Sequence, residues 1–432
     1  MESKLKPWEL VAIPLLLALL NLQNLASAVP QVPSYFIFGD SISDSGNNNK
    51  LAKLAKVNYP PYGIDFPEGP TGRYSNGRTL LGFEDYMLPF AESNEKNIFN
   101  GVNYASGATG IRDETGQHRF ILHGIKAQAI GAGGDSIVAS IVEPAEVGKC
   151  SSPVKLLGFE EYMPPFAESE GKDVLNGVNY ASGASGILDE TGKHRGIRIP
   201  LNDQIRNHKT IISRITTLMG NESATKSHLS QCIYSVQIGS NDYINNYFKP
   251  ESYDTSNRYA PPEYANVLVQ QLSDQLKSLY DSGARKFAVY GLGMIGCTPD
   301  ARAVHGTKGT PCVEKFNEGS TPFNERLMPL IDQLNKNLTE AKFTFLNPFG
   351  SIAGLVTDSP CCKIGGGGGE LCLPNSKPCD NRNKYIFWDG VHPTDAWNEM
   401  IGKSAYSTEK PQEAQPFNIQ KLALQKIGIH PL

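Results

Sequence analysis

The chain has 432 residues, 40% of them hydrophobic and 19% charged, with a formal net charge of −4 at pH 7. That length can bury a substantial core as one large domain or up to three small ones. The near-neutral balance gives no reason to expect nucleic acid or an anionic membrane as partner.

The chain opens on a leader. Lys4 and Lys6 precede the apolar run Leu10 to Leu20, and Ala26-Ser27-Ala28 forms a small-residue cleavage site. This is the pattern of a secretory signal peptide over residues 1–28, with Val29 as the new N-terminus. The apolar core is short for a membrane span, and no later segment approaches 18 uninterrupted apolar residues. A soluble, secreted product without a stable membrane anchor is expected. Eight cysteines fit an oxidising route. Four of them, Cys361, Cys362, Cys372 and Cys379, crowd together as a zinc cluster would, but the adjacent pair lacks the usual two-residue gap, so disulfides are favoured. Cys297 and Cys312 bracket a Pro/Gly loop and are free to pair. Asn221-Glu-Ser and Asn337-Leu-Thr are glycosylation sequons.

The apolar run Tyr35–Phe38 predicts a buried strand. It ends in Gly39-Asp40-Ser41, followed by Ile42-Ser43-Asp44-Ser45-Gly46 and three asparagines. A strand ending this way sets a serine hydroxyl at the carboxyl edge of a sheet, where open α/β folds bind ligands. The triplet alone carries little weight, since these are ordinary turn residues and Gly134-Asp135-Ser136 repeats it. A loop rich in Gly, Pro and aromatics follows, from Tyr59-Pro-Pro-Tyr-Gly63 to Arg78.

Residues 80–119 and 156–195 match at 30 of 40 positions without a gap. Each copy carries Asn-Gly-Val-Asn-Tyr-Ala-Ser-Gly-Ala-x-Gly-Ile. Two copies are too few for a solenoid. The Gly/Ala-rich stretch at about 120–155 has neither helical nor strand period, which suggests a duplicated exon or gene-model error, with an inserted subdomain as the alternative. Only the second copy runs on into an apolar stripe at helical spacing, Leu201 to Leu218, on which His208 reads as a packed core residue.

Beyond it the elements alternate. A strand over Cys232–Ile238 ends in Gly239-Ser240-Asn241-Asp242. A helix follows at about Pro262–Ser282, then a strand at Lys286–Tyr290, a helix marked by Phe323 to Leu338, and a strand at Phe343–Leu346. The alternation predicts a doubly wound, three-layer α/β/α sandwich with a mainly parallel central sheet.

Asp389-Gly-Val-His392-Pro393 precedes a further amphipathic helix, with Thr394 as its N-cap. On a turn, this spacing sets the carboxylate against one imidazole nitrogen and leaves the other to take a serine proton. His430-Pro431 lacks the Asp. Gly-Asp-Ser after the first strand, Asn-Tyr-Ala-Ser-Gly, Gly-Ser-Asn-Asp after a later strand, and Asp-x-x-His-Pro come in the order of four blocks. In that order the chain resembles the plant GDSL-type esterase/lipases of the SGNH hydrolase superfamily over essentially residues 34–432, except for the stretch around 120–155. The departures are a truncated helix after Arg78, the doubled second block and a short span before Cys361.

The resemblance implies a single hydrolase domain over 29–432 acting on small-molecule or lipid esters without metal or organic cofactor. It implies Ser41 as nucleophile, His392 as general base and acid, and Asp389 as its orienter. The oxyanion donors would be the Ser41 N–H, the Asn241 side chain and a glycine of the second block. That glycine is Gly186, or Gly110 in the first copy; Gly186 is preferred because its copy continues into the helix. An acyltransferase using the same triad, a catalytically inactive secreted ester- or glycan-binding protein, and a misassembled gene product are the competing readings.

Overall fold

The computed structural model describes residues 30–49, 51, 56–81, 153–159, 163–348, 358–365 and 369–427. The leader, Gly110, the Gly134-Asp135-Ser136 triplet, His430-Pro431 and most of the first repeat copy lie outside the described residues. All described residues belong to one compact unit, made of the chain up to Glu84 and from Ser151 onward.

Four parallel strands and one antiparallel strand form the sheet, in the order β1 (Tyr35–Gly39), β2 (Ile233–Gln237), β3 (Lys286–Tyr290), β4 (Lys342–Leu346) and β5 (Ala414–Gln415). β1, β2 and β3 are buried along their whole length, as central strands covered on both faces must be, which explains their unbroken apolar character. On the far edge of β1 runs one more strand-like segment. The Ile37 N–H donates to Val178 O (3.0 Å), the Tyr180 N–H donates to Ile37 O (2.8 Å), and Ile37 and Asn179 form a parallel bridge. The chain therefore goes from β1 first to one side and then crosses to β2 on the other. β1 is the switch point, and its carboxyl end opens into the crevice that such a reversal creates.

Two apolar layers flank the sheet. Alternate strand residues Phe36, Phe38, Tyr234, Val236, Phe287, Val289, Phe343 and Phe345 face the helices α1 (Leu201–Met219), α2 (Glu222–Gln231), α3 (Pro261–Asp281) and α5 (Glu314–Asn337). Tyr35, Ile37, Ile233, Ala288, Tyr290 and Leu346 face α6 (Asp395–Ser407) and α7 (Ile419–Ala423). A short helix α4 (Pro299–His305) lies at the loop edge. This is the expected α/β/α sandwich.

Several elements differ from expectation in extent. α5 starts at Glu314, well before Phe323, because Pro322 and Pro329 inside it mask the helical pattern. α2 has a weak apolar stripe and is held by its cap: the Asn221 side chain accepts the Ser223 and Ala224 N–H groups at 2.8 and 3.1 Å. His208 is fully buried, its Nδ1 2.9 Å from Tyr180 Oη and its ring against Phe36 and Phe38. Burial pushes its pKa down to about 3, so it is a neutral core residue, as its place on the stripe implies.

The cysteines pair as Cys297–Cys312, Cys361–Cys379 and Cys362–Cys372. The crowded four are thus committed to two disulfides and offer no thiolates to zinc. Cys232 is free and buried.

Of the first repeat copy and the stretch after it, the described residues Leu80, Leu81 and Val154 are buried in the same layer as Leu157 and Phe159. Leu-Leu-Gly-Phe stands at both 80–83 and 156–159, and the leucines of both copies find the same apolar layer. Leu81→Ala is therefore expected to lower the unfolding free energy by about 2–5 kcal/mol in urea titration, whereas exposed Ile64→Ala should change it by no more than about 0.5 kcal/mol.

Candidate active site

The carboxyl ends of β1 and β2 come together so closely that a Cβ on Gly39 would lie 2.6 Å from the Gln237 carbonyl oxygen. Glycine is required there by contact, and it delivers Asp40 and Ser41 to the sheet edge. From β2, Gly239 turns the chain at a φ of 125°, a left-handed value that favours glycine, and starts the short turn of helix Ser240–Asp242.

Ser41 and His392 meet across 351 residues of sequence, with Oγ and Nε2 2.9 Å apart. His392 Nδ1 lies 2.8 Å from Asp389 Oδ2 and 3.0 Å from Oδ1. A carboxylate only accepts, so Nδ1 carries the proton and Nε2 is left to accept from the serine hydroxyl. Asp389 is fully buried, and the turn that holds it is closed by its own side chain. Its Oδ1 accepts the Val391 N–H (2.9 Å) and the His392 N–H (2.7 Å). The Tyr62 hydroxyl donates to Oδ2 at 2.6 Å, and the Tyr74 ring lies 4.6 Å from the imidazole, centroid to centroid. Three of the residues expected at the site, Ser41, Asp389 and His392, are thus brought into hydrogen-bond contact.

Asn241 is buried at the end of the β2 loop. Asn245 Nδ2 donates to its Oδ1 (2.6 Å), which orients the amide so that Nδ2 donates to Ser185 O (3.0 Å) and retains a second N–H. Gly186 lies next to this contact, but its peptide faces the other way. The Ser185 carbonyl points at Asn241, and in a trans peptide the Gly186 N–H points opposite to that carbonyl. The space beside the Gly186 Cα is occupied by the Asp242 carboxylate, whose oxygens lie 2.6 Å from where a Cβ would be.

The second-block turn is lashed to the first block by residues that motif spacing leaves without a role. Asp44 Oδ1 accepts the Gly46 and Asn47 N–H groups, and its Oδ2 accepts the Gly183 N–H at 3.0 Å. Asn47 Nδ2 donates to Asn179 O and Ala181 O, and Asn48 bonds Gly183 O and Ser182 Oγ. Ser182 N–H and Ser185 Oγ both donate to Gly39 O. Asp242 accepts the Ile187 and Leu188 N–H groups and the Thr191 hydroxyl. Burial still raises its pKa to about 6 against the pull of these donors. Asp40, next to Ser41, is raised by burial to about 7, opposed by the Ile42 N–H and by the charge of His392. The asparagine run and the acidic residue after Asn241 were visible in the sequence, but their partners are far away along the chain.

A cavity of about 340 Å³ lies along this edge. Its walls are mainly apolar and include Ile42, next to Ser41, and Val391 and Pro393, which flank His392; Leu80, Phe387 and Trp397 extend them.

The GDSL-like Lipase/Acylhydrolase family model matches residues 130–405. The chain belongs to this family. Its similarity to individual members reaches beyond the matched range to the first block. One GDSL esterase/lipase of Arabidopsis thaliana is 38% identical over 418 residues, covering 94% of this chain and 97% of that protein. Another from the same plant is 38% identical over 434 residues, covering 98% and 100%, and a third is 37% identical over 422 residues, covering 95% and 98%. Family membership and the parallel sheet with helices on both faces agree.

Asp242→Ala would strand two backbone N–H groups in the interior. It is expected to cost about 2–4 kcal/mol in urea unfolding and to lower kcat by loosening the second-block turn.

Proposed function

We propose that this protein is a secreted serine esterase that cleaves carboxylic esters through an acyl-enzyme on Ser41. The observation that carries this reading is the unbroken relay from Ser41 Oγ to His392 Nε2 (2.9 Å) and from His392 Nδ1 to Asp389 (2.8 Å). His392 takes the hydroxyl proton as Ser41 attacks the ester carbonyl, Asp389 stabilises the imidazolium, and the proton then passes to the departing alcohol. Water repeats the sequence on the acyl-enzyme. With an alcohol in place of water, the same steps give acyl transfer.

The donors to the oxyanion are the N–H of Ser41, the second N–H of Asn241 and, in place of Gly186, the N–H of Ala184. In the turn Ser182–Ser185 the other N–H groups are occupied: Ser182 by Gly39 O, Gly183 by Asp44 and Ser185 by Ser182 O. Ala184 is half-buried and held at a φ of 64°, with no acceptor on its N–H among the described residues. Strain at a non-glycine residue beside a nucleophile is the kind of cost that a site retains for geometry.

Secretion is supported by the leader and by three disulfides, which persist in oxidising compartments. No helix among the described residues is long and apolar enough to cross a membrane. Both sequon asparagines, Asn221 and Asn337, are exposed and accessible to glycosylation. The apolar cavity suits the acyl chain of the ester.

A fluorophosphonate probe should label Ser41 in the secreted protein. Ser41→Ala and His392→Ala should each lower kcat on a short acyl ester by roughly 10⁴-fold or more, with Asp389→Ala costing less. Asn241→Ala should lower kcat by about 10²–10³ with KM little changed. Retained turnover in Ser41→Ala, or a folded sample that resists labelling, would sink the reading. In a crystal of the phosphonylated enzyme, the phosphoryl oxygen should sit within hydrogen-bond reach of Ala184 N; contact with Gly186 N would restore the glycine.

The cavity is tested by a series of straight-chain esters of one alcohol. Each methylene buried is worth about 0.8 kcal/mol, so kcat/KM should climb roughly fourfold per carbon until the cavity is filled. A flat profile would place the acyl chain elsewhere.

A further inference from the structure

We propose that Tyr62 is a positioning residue of the triad, whose hydroxyl permanently tempers the negative charge that Asp389 presents to His392. The proposal rests on the triad reading above.

The direction of the hydrogen bonds is set by chemistry. The Tyr62 oxygen accepts the Cys372 backbone N–H at 3.1 Å, and an N–H can only donate. The phenolic proton is therefore directed to Asp389 Oδ2, 2.6 Å away. Tyr62 is almost wholly buried. Burial, followed by the neighbouring Asp389 charge, holds its phenol well above the ordinary tyrosine value. The hydroxyl therefore stays protonated and stays a donor.

Asp389 Oδ2 is then shared between Tyr62 and His392 Nδ1. Each donor to a carboxylate draws off some of its negative charge. With Tyr62 in place, Asp389 stabilises the imidazolium less strongly. The groups that face this pair from other elements are Tyr59 and Asp300, which act on Asp389, and Asp40 and the Tyr74 ring, which act on His392. Tyr62 donates its side-chain hydroxyl directly to the carboxylate. Its oxygen is anchored by the backbone of Cys372, which the disulfide to Cys362 ties to the strand-like stretch hydrogen-bonded to Trp388 and Phe387, just before the triad turn. Cys362 N–H donates to Trp388 O and Cys361 N–H donates to Phe387 O, so one cross-linked loop holds both ends of the contact.

The test is the pH dependence of kcat/KM on a short acyl ester. In Tyr62→Phe the acid limb should move to higher pH by about 0.5–1 unit, with a several-fold loss at the plateau. Replacing Tyr62 by 3-fluorotyrosine, a stronger donor of nearly the same shape, should move the limb to lower pH. A structural role alone would change the plateau and thermal stability and leave the limb in place. An unmoved limb in both proteins overturns the proposal, and the fluorinated protein decides it if Tyr62→Phe does not fold. Ser41→Ala in the same assay separates the two readings. A dead Ser41→Ala beside an unmoved limb removes only the role of Tyr62, while an active Ser41→Ala removes the triad as well.

Discussion

The close approach of β1 and β2 at their carboxyl ends is the constraint on which the site depends. Gly39 sits against the Gln237 carbonyl with no room for a side chain. That contact puts the chain leaving β1 and the chain leaving β2 at one point of the sheet edge, Ser41 on one and Asn241 on the other. Because β1 is also where the chain reverses its progress across the sheet, this edge opens into a crevice, and the Asp389–His392 turn packs there. A serine placed by backbone contact needs no flexible search for the imidazole it bonds, which is a form of preorganisation.

Around this point the protein spends buried polar groups heavily. Asp40, Asp44, Asp242 and Asp389 are all shielded from water. Isolated carboxylates would be costly in such surroundings, and all four are matched by backbone N–H groups of turns. Asp44 closes the first-block turn and reaches the second block, Asp242 closes the second-block turn, and Asp389 closes the turn that bears His392. Each acid therefore fixes a loop, and Asp389 also bonds the His392 imidazole. The site is thus a set of loops tied by their own carboxylates, with the sheet as a rigid floor.

Both copies of the duplicated segment contribute described residues to the fold. The second copy supplies the bridge beside β1 and the turn at Ser182–Ser185, and it is followed by a helix with an apolar face that β1 and β2 can cover. Yet the first two leucines of the other copy are not surplus, since Leu80 and Leu81 share the layer with Leu157. The leucine pairs that open the two copies meet the same apolar layer.

Much of this was legible from residues in order. The apolar runs of β1 to β4, the stripes of α1, α3 and α6, and the Asp-x-x-His turn are local patterns, and local sterics and periodicity determine them. Ser41, Asp389 and His392 could be named because each stands in a short motif with its own geometry. The beginning of α5 was hidden by prolines that tertiary packing tolerates, and α2 lacked the apolar period that would reveal it. The direction of the Ser185–Gly186 peptide could not be read from the sequence, since it depends on what the Ser185 carbonyl finds, and it finds Asn241 from another loop. Tyr62 stood in an aromatic loop with no period and no motif. Its meaning came only when a disulfide-bound backbone N–H and a carboxylate, both more than 300 residues away, closed on its hydroxyl. The sequence by itself determined which groups carry chemistry and which segments form strands and helices, because those follow from neighbours along the chain. Tertiary structure decided which N–H groups remain free and where each proton points, because a hydrogen bond is settled by the partner that arrives.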